Sequence, residues 1–179
     1  MNLKEKKSLV AYFSRKGNNW VNGRVINLPF GNTEVIAKMI NEIVGGDLFH
    51  IDTVKQYPKG YEETTKVAKQ ELKNNARPEL TDHVLDMNLY EVIFLGYPNW
   101  WGTMPMALHT FLESYDFSGK TIIPFCTHEG SGLGSSVKNI EKLCPKAEVI
   151  NAIAFHGGSV KNAREGVEKW INQITKTRS

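Results

Sequence analysis

Five short apolar stretches, at residues 8–13, 47–52, 91–97, 121–127 and 148–155, constrain this chain more than any other feature of its sequence. Each is rich in Val, Ile, Leu or Phe, and several are apolar at successive positions, as in Val92-Ile93-Phe94-Leu95. A strand that alternates can leave one face in water. One that does not must be covered on both, the condition of a parallel strand flanked by helices. Patterns of helical period lie between the stretches. After Thr33, a natural N-cap, Val35, Ile36, Met39, Ile40 and Ile43 repeat at roughly 3.6 residues, and Gly45-Gly46 closes the run. Further helices are expected over 61–74, 105–115, 135–143 and 161–174, with Pro105 suited to a helix start. Strand and helix alternate five times, so the expected class is α/β, a three-layer doubly wound fold around a parallel sheet.

No Pro-rich linker, repeat or low-complexity tract interrupts the 179 residues, so the chain 1–179 reads as a single domain large enough to bury its own core. Cys126 and Cys144 show no CxxC spacing and the chain opens on charged residues, which points to a cytoplasmic protein with both thiols free. No apolar run approaches the roughly 20 residues of a membrane helix, so no membrane partner is expected. The formal charge of +3 is dispersed, with Lys4, Lys6 and Lys7 at the start and Lys176 and Arg178 at the end. Nothing here gathers into the basic arm or patch of a nucleic-acid-binding protein.

In a doubly wound sheet the ligand sits beyond the carboxyl ends of the strands, where the winding reverses. Three loops therefore hold the candidate site. The first begins Ser14-Arg15-Lys16-Gly17-Asn18 and reaches its helix at Gly31-Asn32-Thr33-Glu34. Unpaired N–H groups and partial positive charge at a helix start favour a phosphate, and Ser14, Asn18, Asn32 and Thr33 are suitable donors. Taken alone, Ser14 could merely end a strand and Thr33 merely cap a helix. Gly17-Asn18 recurs as Gly31-Asn32, which makes residues 19–30 an insertion, a lid or a subunit contact, with Trp20 in it a packing residue.

The second loop, Tyr97-Pro98-Asn99-Trp100-Trp101-Gly102-Thr103-Met104-Pro105, follows the most apolar strand. Its adjacent tryptophans offer flat faces to a planar heterocycle. The third, Thr127-His128-Glu129-Gly130-Ser131-Gly132-Leu133-Gly134-Ser135, brings free amides and glycines that permit close backbone approach. His128 and Glu129 lack the companions at ligand spacing that a metal site requires.

These stretches resemble the flavodoxin-like flavoproteins, in particular the branch with Tyr-Phe-Ser-x-x-Gly-Asn early, Tyr-Pro-x-Trp-Trp-Gly in the middle and Thr-x-x-Gly-Ser-Gly later. They stand here as Tyr12 to Asn18, Tyr97 to Gly102 and Thr127 to Gly132, in the family's order over nearly the whole chain. The resemblance implies a five-stranded parallel sheet in order 2-1-3-4-5 with FMN across the three loops. It implies Ser14, Asn18, Asn32 and Thr33, with Lys16, at the phosphate. Pro98, Asn99, Trp100, Trp101 and Gly102 would flank the ring, and Thr127, His128, Glu129, Gly130 and Gly132 would line its other edge. The repeated Gly-Asn leaves open whether Asn18 or Asn32 takes the family position. Gly102 would let the Trp101-Gly102 peptide turn toward the ring.

The expected function is FMN-dependent electron transfer, with a redox partner protein or a small-molecule acceptor. The alternative is an FMN quinone reductase fed by NAD(P)H. A phospho-acceptor signalling domain would need acidic residues where Ser14 and Tyr97-Pro98 stand. Ser135 breaks the dinucleotide-binding fingerprint begun by Gly130-x-Gly132, and a P-loop is excluded by the lack of Gly-Lys-Ser/Thr. Oligomeric state is left open.

Overall fold

The computed structural model describes residues 2–3 and 5–176, so the terminal cations Lys4 and Arg178 lie outside the described residues. Strand β1 (Ser8–Phe13) is buried at every position. It pairs in parallel with β4 (Asp47–Ile51) on one side and β5 (Val92–Pro98) on the other. Strand β6 (Thr121–His128) continues the sheet beyond β5. The outermost position is filled by two short strands, β7 (Glu148–Val149) and β8 (Ile153–His156), each parallel to β6. Counting that pair as one strand gives the expected order 2-1-3-4-5.

The unbroken apolar runs follow from cover on both faces. Leu9, Ala11 and Phe13 of β1 join Ile93, Leu95 and Tyr97 of β5 beneath α3 (Met106–Glu113) and α4 (Ser136–Leu143). Val10, Tyr12, Val92 and Phe94 point the other way, toward α1 (Asn32–Val44) and α5 (Arg164–Lys176). Helix α2 (Tyr61–Lys73) lies beyond β4 in sequence and touches α3.

Three expectations are corrected. The stretch 148–155 is not one strand: Asn151 takes a left-handed conformation with φ 51°, and the outer chain uses one more residue than β6 between the paired positions 121↔148 and 125↔153. That extra residue is a bulge, fastened by the Trp170 indole N–H, which donates to the Asn151 carbonyl at 2.8 Å. Thr33 is not the N-cap of α1; Gly31 is, with an extended backbone at φ −66° and ψ 151°, and a Cβ there would stand 2.1 Å from Ser14 Oγ. Residues 161–162 belong to a 3-10 turn, Gly157–Asn162, and α5 starts only at Arg164.

The segment after β1 forms an antiparallel hairpin, β2 (Gly17–Val21) with β3 (Arg24–Leu28), outside the central sheet. Asn22 and Gly23 make its turn with φ 51° and 80°, the left-handed pair that matches strand twist.

Candidate functional site

At the carboxyl ends of the strands lies a cavity of about 490 Å³. One end is the start of α1. Ser14 Oγ accepts the Glu34 amide at 3.1 Å, a cap lent by β1's loop because Gly31 carries no side chain. The Thr33 and Thr127 hydroxyls are buried 2.7 Å apart and join α1 to the end of β6. Ser14, Asn32, Thr33 and Thr127 all line the cavity beside the first amides of α1, which have no acceptor within the helix.

The loops after β5 and β6 form one unit. The Asn99 amide donates to the Gly132 carbonyl at 2.7 Å and its Oδ1 accepts the Gly102 amide at 3.0 Å. The Ser135 amide and hydroxyl both donate to the Gly102 carbonyl, at 2.8 and 3.2 Å. Trp101 and Gly102 carry φ of 55° and 81° between Trp100 and Thr103, which bond each other's backbone. The peptide expected to turn is thus held on its N–H side by Asn99. Trp100 packs edge-on against Phe13 and Tyr57, with centroids 5.3 and 5.0 Å away. Trp101 is half exposed; its indole N–H donates to the Thr65 carbonyl of α2 at 2.9 Å, and Lys69 lies 4.8 Å from its ring.

Pro98, Asn99, Trp100, Trp101, Gly102, His128 and Glu129 also line the cavity. Lys16, Asn18, Gly130 and Gly132 do not. Asn18 pairs with Asn27 inside the hairpin, so Asn32 is the one that faces the ligand space. Lys16 is exposed and Gly132 serves as the Asn99 acceptor. Ser131 of the third loop also lines the cavity, and Arg15, Asn19, Trp20 and the α2 face of Tyr61, Thr64, Thr65 and Ala68 complete the wall without having been expected there. Arg15 brings a positive charge to the wall while its guanidinium donates to the carbonyls of Asn18, Pro58 and Lys59, tying the first loop to the start of α2. Trp20 is a wall residue and a packing residue at once, stacked on Tyr61 with centroids 6.0 Å apart.

A sequence model of the flavodoxin family matches residues 7–174. The chain belongs to the flavodoxin family. Among solved structures similar to this flavodoxin-family chain is a candidate flavoprotein of Bacteroides uniformis ATCC 8492, at 30% identity over 93% of this chain and 98% of that one, with a TM-score of 0.74. A second candidate flavoprotein, from Bacteroides eggerthii DSM 20697, is 26% identical over 94% and 98% of the two chains, with a TM-score of 0.76. A flavoprotein from Lactobacillus acidophilus NCFM, solved in complex with FMN, shares the fold at 23% identity over 93% and 99%, with a TM-score of 0.62. A search of curated proteins finds no significant match.

Beside the flavodoxin loops stands a cluster of two histidines and a carboxylate. His128 Nδ1 accepts the Gly130 amide at 2.9 Å, which places the proton of the neutral ring on Nε2. Burial, then the neighbouring His156, holds the His128 pKa below its ordinary value against the opposing pull of Glu129. Glu129 Oε2 accepts the Asn22 amide at 2.9 Å and lies 3.6 Å from His156 Nε2. Its Oε1 is buried without a hydrogen-bond partner among the described residues. Gly157 explains how the carboxylate fits: a Cβ there would stand 2.3 Å from Glu129 Oε1 and 2.5 Å from Asn32 Nδ2.

Proposed function

We propose that this flavodoxin-family protein binds FMN and passes electrons with it to a redox partner. One observation carries the reading: a single cavity joins a hydroxyl-lined helix N-terminus to a tryptophan loop. The donor set fits the group. Neutral hydroxyls and helix amides suit a phosphate dianion, since the helix start supplies the complementary potential. The partnerless Glu129 Oε1 suits a hydroxylated chain, being an acceptor in need of a donor. Bound FMN supplies one- and two-electron redox chemistry; the chain supplies orientation, stacking and exclusion of water. In this reading Ser14, Asn32 and Thr33 hold the phosphate, Trp100 and Trp101 with Pro98 flank the ring, and Thr127 to Glu129 line the opposite edge.

A second reading, reduction of a quinone-like acceptor by NAD(P)H, draws support from the reach of the cavity past the three loops to Tyr61, Thr64, Thr65 and Ala68 of α2. That wall offers ground for a second ligand. Purified protein should absorb in the blue and release FMN on heating; a folded, colourless preparation that takes up no FMN at micromolar concentrations overturns the reading. NADPH then separates the two roles. Rapid flavin bleaching followed by quinone turnover marks the reductase, and inertness marks the carrier.

A further inference from the structure

The hairpin β2–β3 forms a two-stranded sheet of its own, apart from the central one, yet it is fastened at three levels beside the cavity. At its root the Asn19 amide donates to the carbonyls of Arg15 and Gly17, at 3.0 and 3.1 Å. In its middle Trp20 stacks on Tyr61 of α2. At its tip the Asn22 backbone N–H donates to Glu129 Oε2, across to the loop after β6. The Asn22 side chain also lies flat against Gly158, where a Cβ would come within 2.1 Å of its Oδ1. Asn19, Trp20 and Glu129 are all cavity wall. The hairpin therefore runs from α2 to the far rim over the ligand space.

We propose that the hairpin is a strap across the cofactor cavity and that Glu129 is the positioning residue that latches its tip. The proposal rests on the FMN reading above. A carboxylate accepting a backbone amide in a half-buried setting makes a strong, directional hold, and His156 Nε2 stands 3.6 Å from the same oxygen. FMN enters and leaves only when the latch opens. Loosening it therefore speeds association and dissociation together, because both share the opening step.

Stopped-flow FMN exchange on the full chain tests this. Glu129→Ala should raise both rates, by roughly tenfold or more if one hydrogen bond to a charged group is lost. Gly158→Leu, which drives Asn22 away from outside the cavity wall, should do the same. Glu129→Gln keeps an oxygen for the Asn22 amide and should restore most of the slow exchange. A rise in dissociation alone in Glu129→Ala would leave Glu129 a ligand contact and nothing more, and would overturn the latch, as would Gly158→Leu with both rates untouched. Hydrogen exchange at the Asn22 amide of the FMN-free protein supplies a readout independent of the cofactor and of how Gly158→Leu folds. Protection that is lost in Glu129→Ala and kept in Glu129→Gln supports the latch; an unprotected Asn22 amide in the parent overturns it. A parent that takes up no FMN overturns the function reading and with it the gating of FMN, whereas Asn22 protection reports on the fastening alone.

Discussion

The hydroxyls of Thr33 and Thr127 form a buried pair in the cavity wall, so removing one strands the other. Thr33→Val should cost about 1–3 kcal/mol in urea unfolding, the penalty of a buried polar group left without its partner. At the same end of the cavity, Ser14→Ala and Thr33→Val should shrink the preference for FMN over riboflavin, which lacks the phosphate, by roughly tenfold each. Equal losses for the two ligands in a fluorescence titration would place the phosphate elsewhere. Gly134 bears on the loops instead: with φ 54° and a Cβ position 2.1 Å from the Gly102 carbonyl oxygen, it lets the two loops meet. Gly134→Ala should destabilise by roughly 2 kcal/mol or more, from left-handed strain and the clash together, read from the urea midpoint. Ser14, Asn32 and Thr33 could be placed at the cavity wall only because the first loop lies beyond the carboxyl end of its strand, since hydroxyl and amide side chains before a helix more often serve as caps. Arg15 was not, since its partners are main-chain carbonyls of residues 58–60, which no side-chain pattern announces. Nor could the repeated Gly-Asn choose between Asn18 and Asn32 until the hairpin had taken the first copy.

Among the elements, the hairpin is separable from the sheet. Excising residues 18–31 joins Gly17 to Asn32 and removes no central strand. The shortened chain should keep cooperative unfolding and the parent's far-UV circular dichroism. Hydrogen-exchange protection should fall only where the hairpin rested, around Tyr61 and Glu129. Loss of the whole fold would mean that the hairpin organises the sheet rather than overlying it. Its existence was written in Asn22-Gly23 between Trp20-Val21 and Arg24-Val25-Ile26, a strong short-range hairpin signal, overlooked because the insertion was weighed as a loop. The break in the outer strand is harder to see. The apolar residues of 148–155 continue through it, and only the left-handed backbone of Asn151, held by Trp170 from a distant helix, interrupts the pairing.

For the whole molecule, the parallel sheet and the two-faced core follow from the apolar runs and alternating helices, which the sequence displays openly because every central strand must be covered twice, whereas the strand order was legible only through the family resemblance. The face of α2 that completes the cavity was not displayed: Thr64, Thr65 and Ala68 are ordinary helix residues until the loops close over them. Burial also leaves its mark on the pH response. It pushes the Cys126 thiol up to about 12 and the Cys144 thiol up to about 11. Burial, with the charge of Glu34 adding to it, pushes the Tyr12 phenol up to about 12. All three values rise on folding, so their stabilisation is complete below the unfolded thiol and phenol values of roughly 8.5 and 10 and is lost as pH climbs toward the folded ones. The urea midpoint should therefore decline from about pH 9 upward, and Cys126→Ala should flatten part of that decline. A midpoint level up to pH 11, about two units past the unfolded thiol value, would contradict it. The same two sulfurs, both buried, remain protonated at neutral pH and are therefore poor nucleophiles toward peroxide. Under the FMN reading proposed above, both cysteine sulfurs thus stay out of the electron circuit.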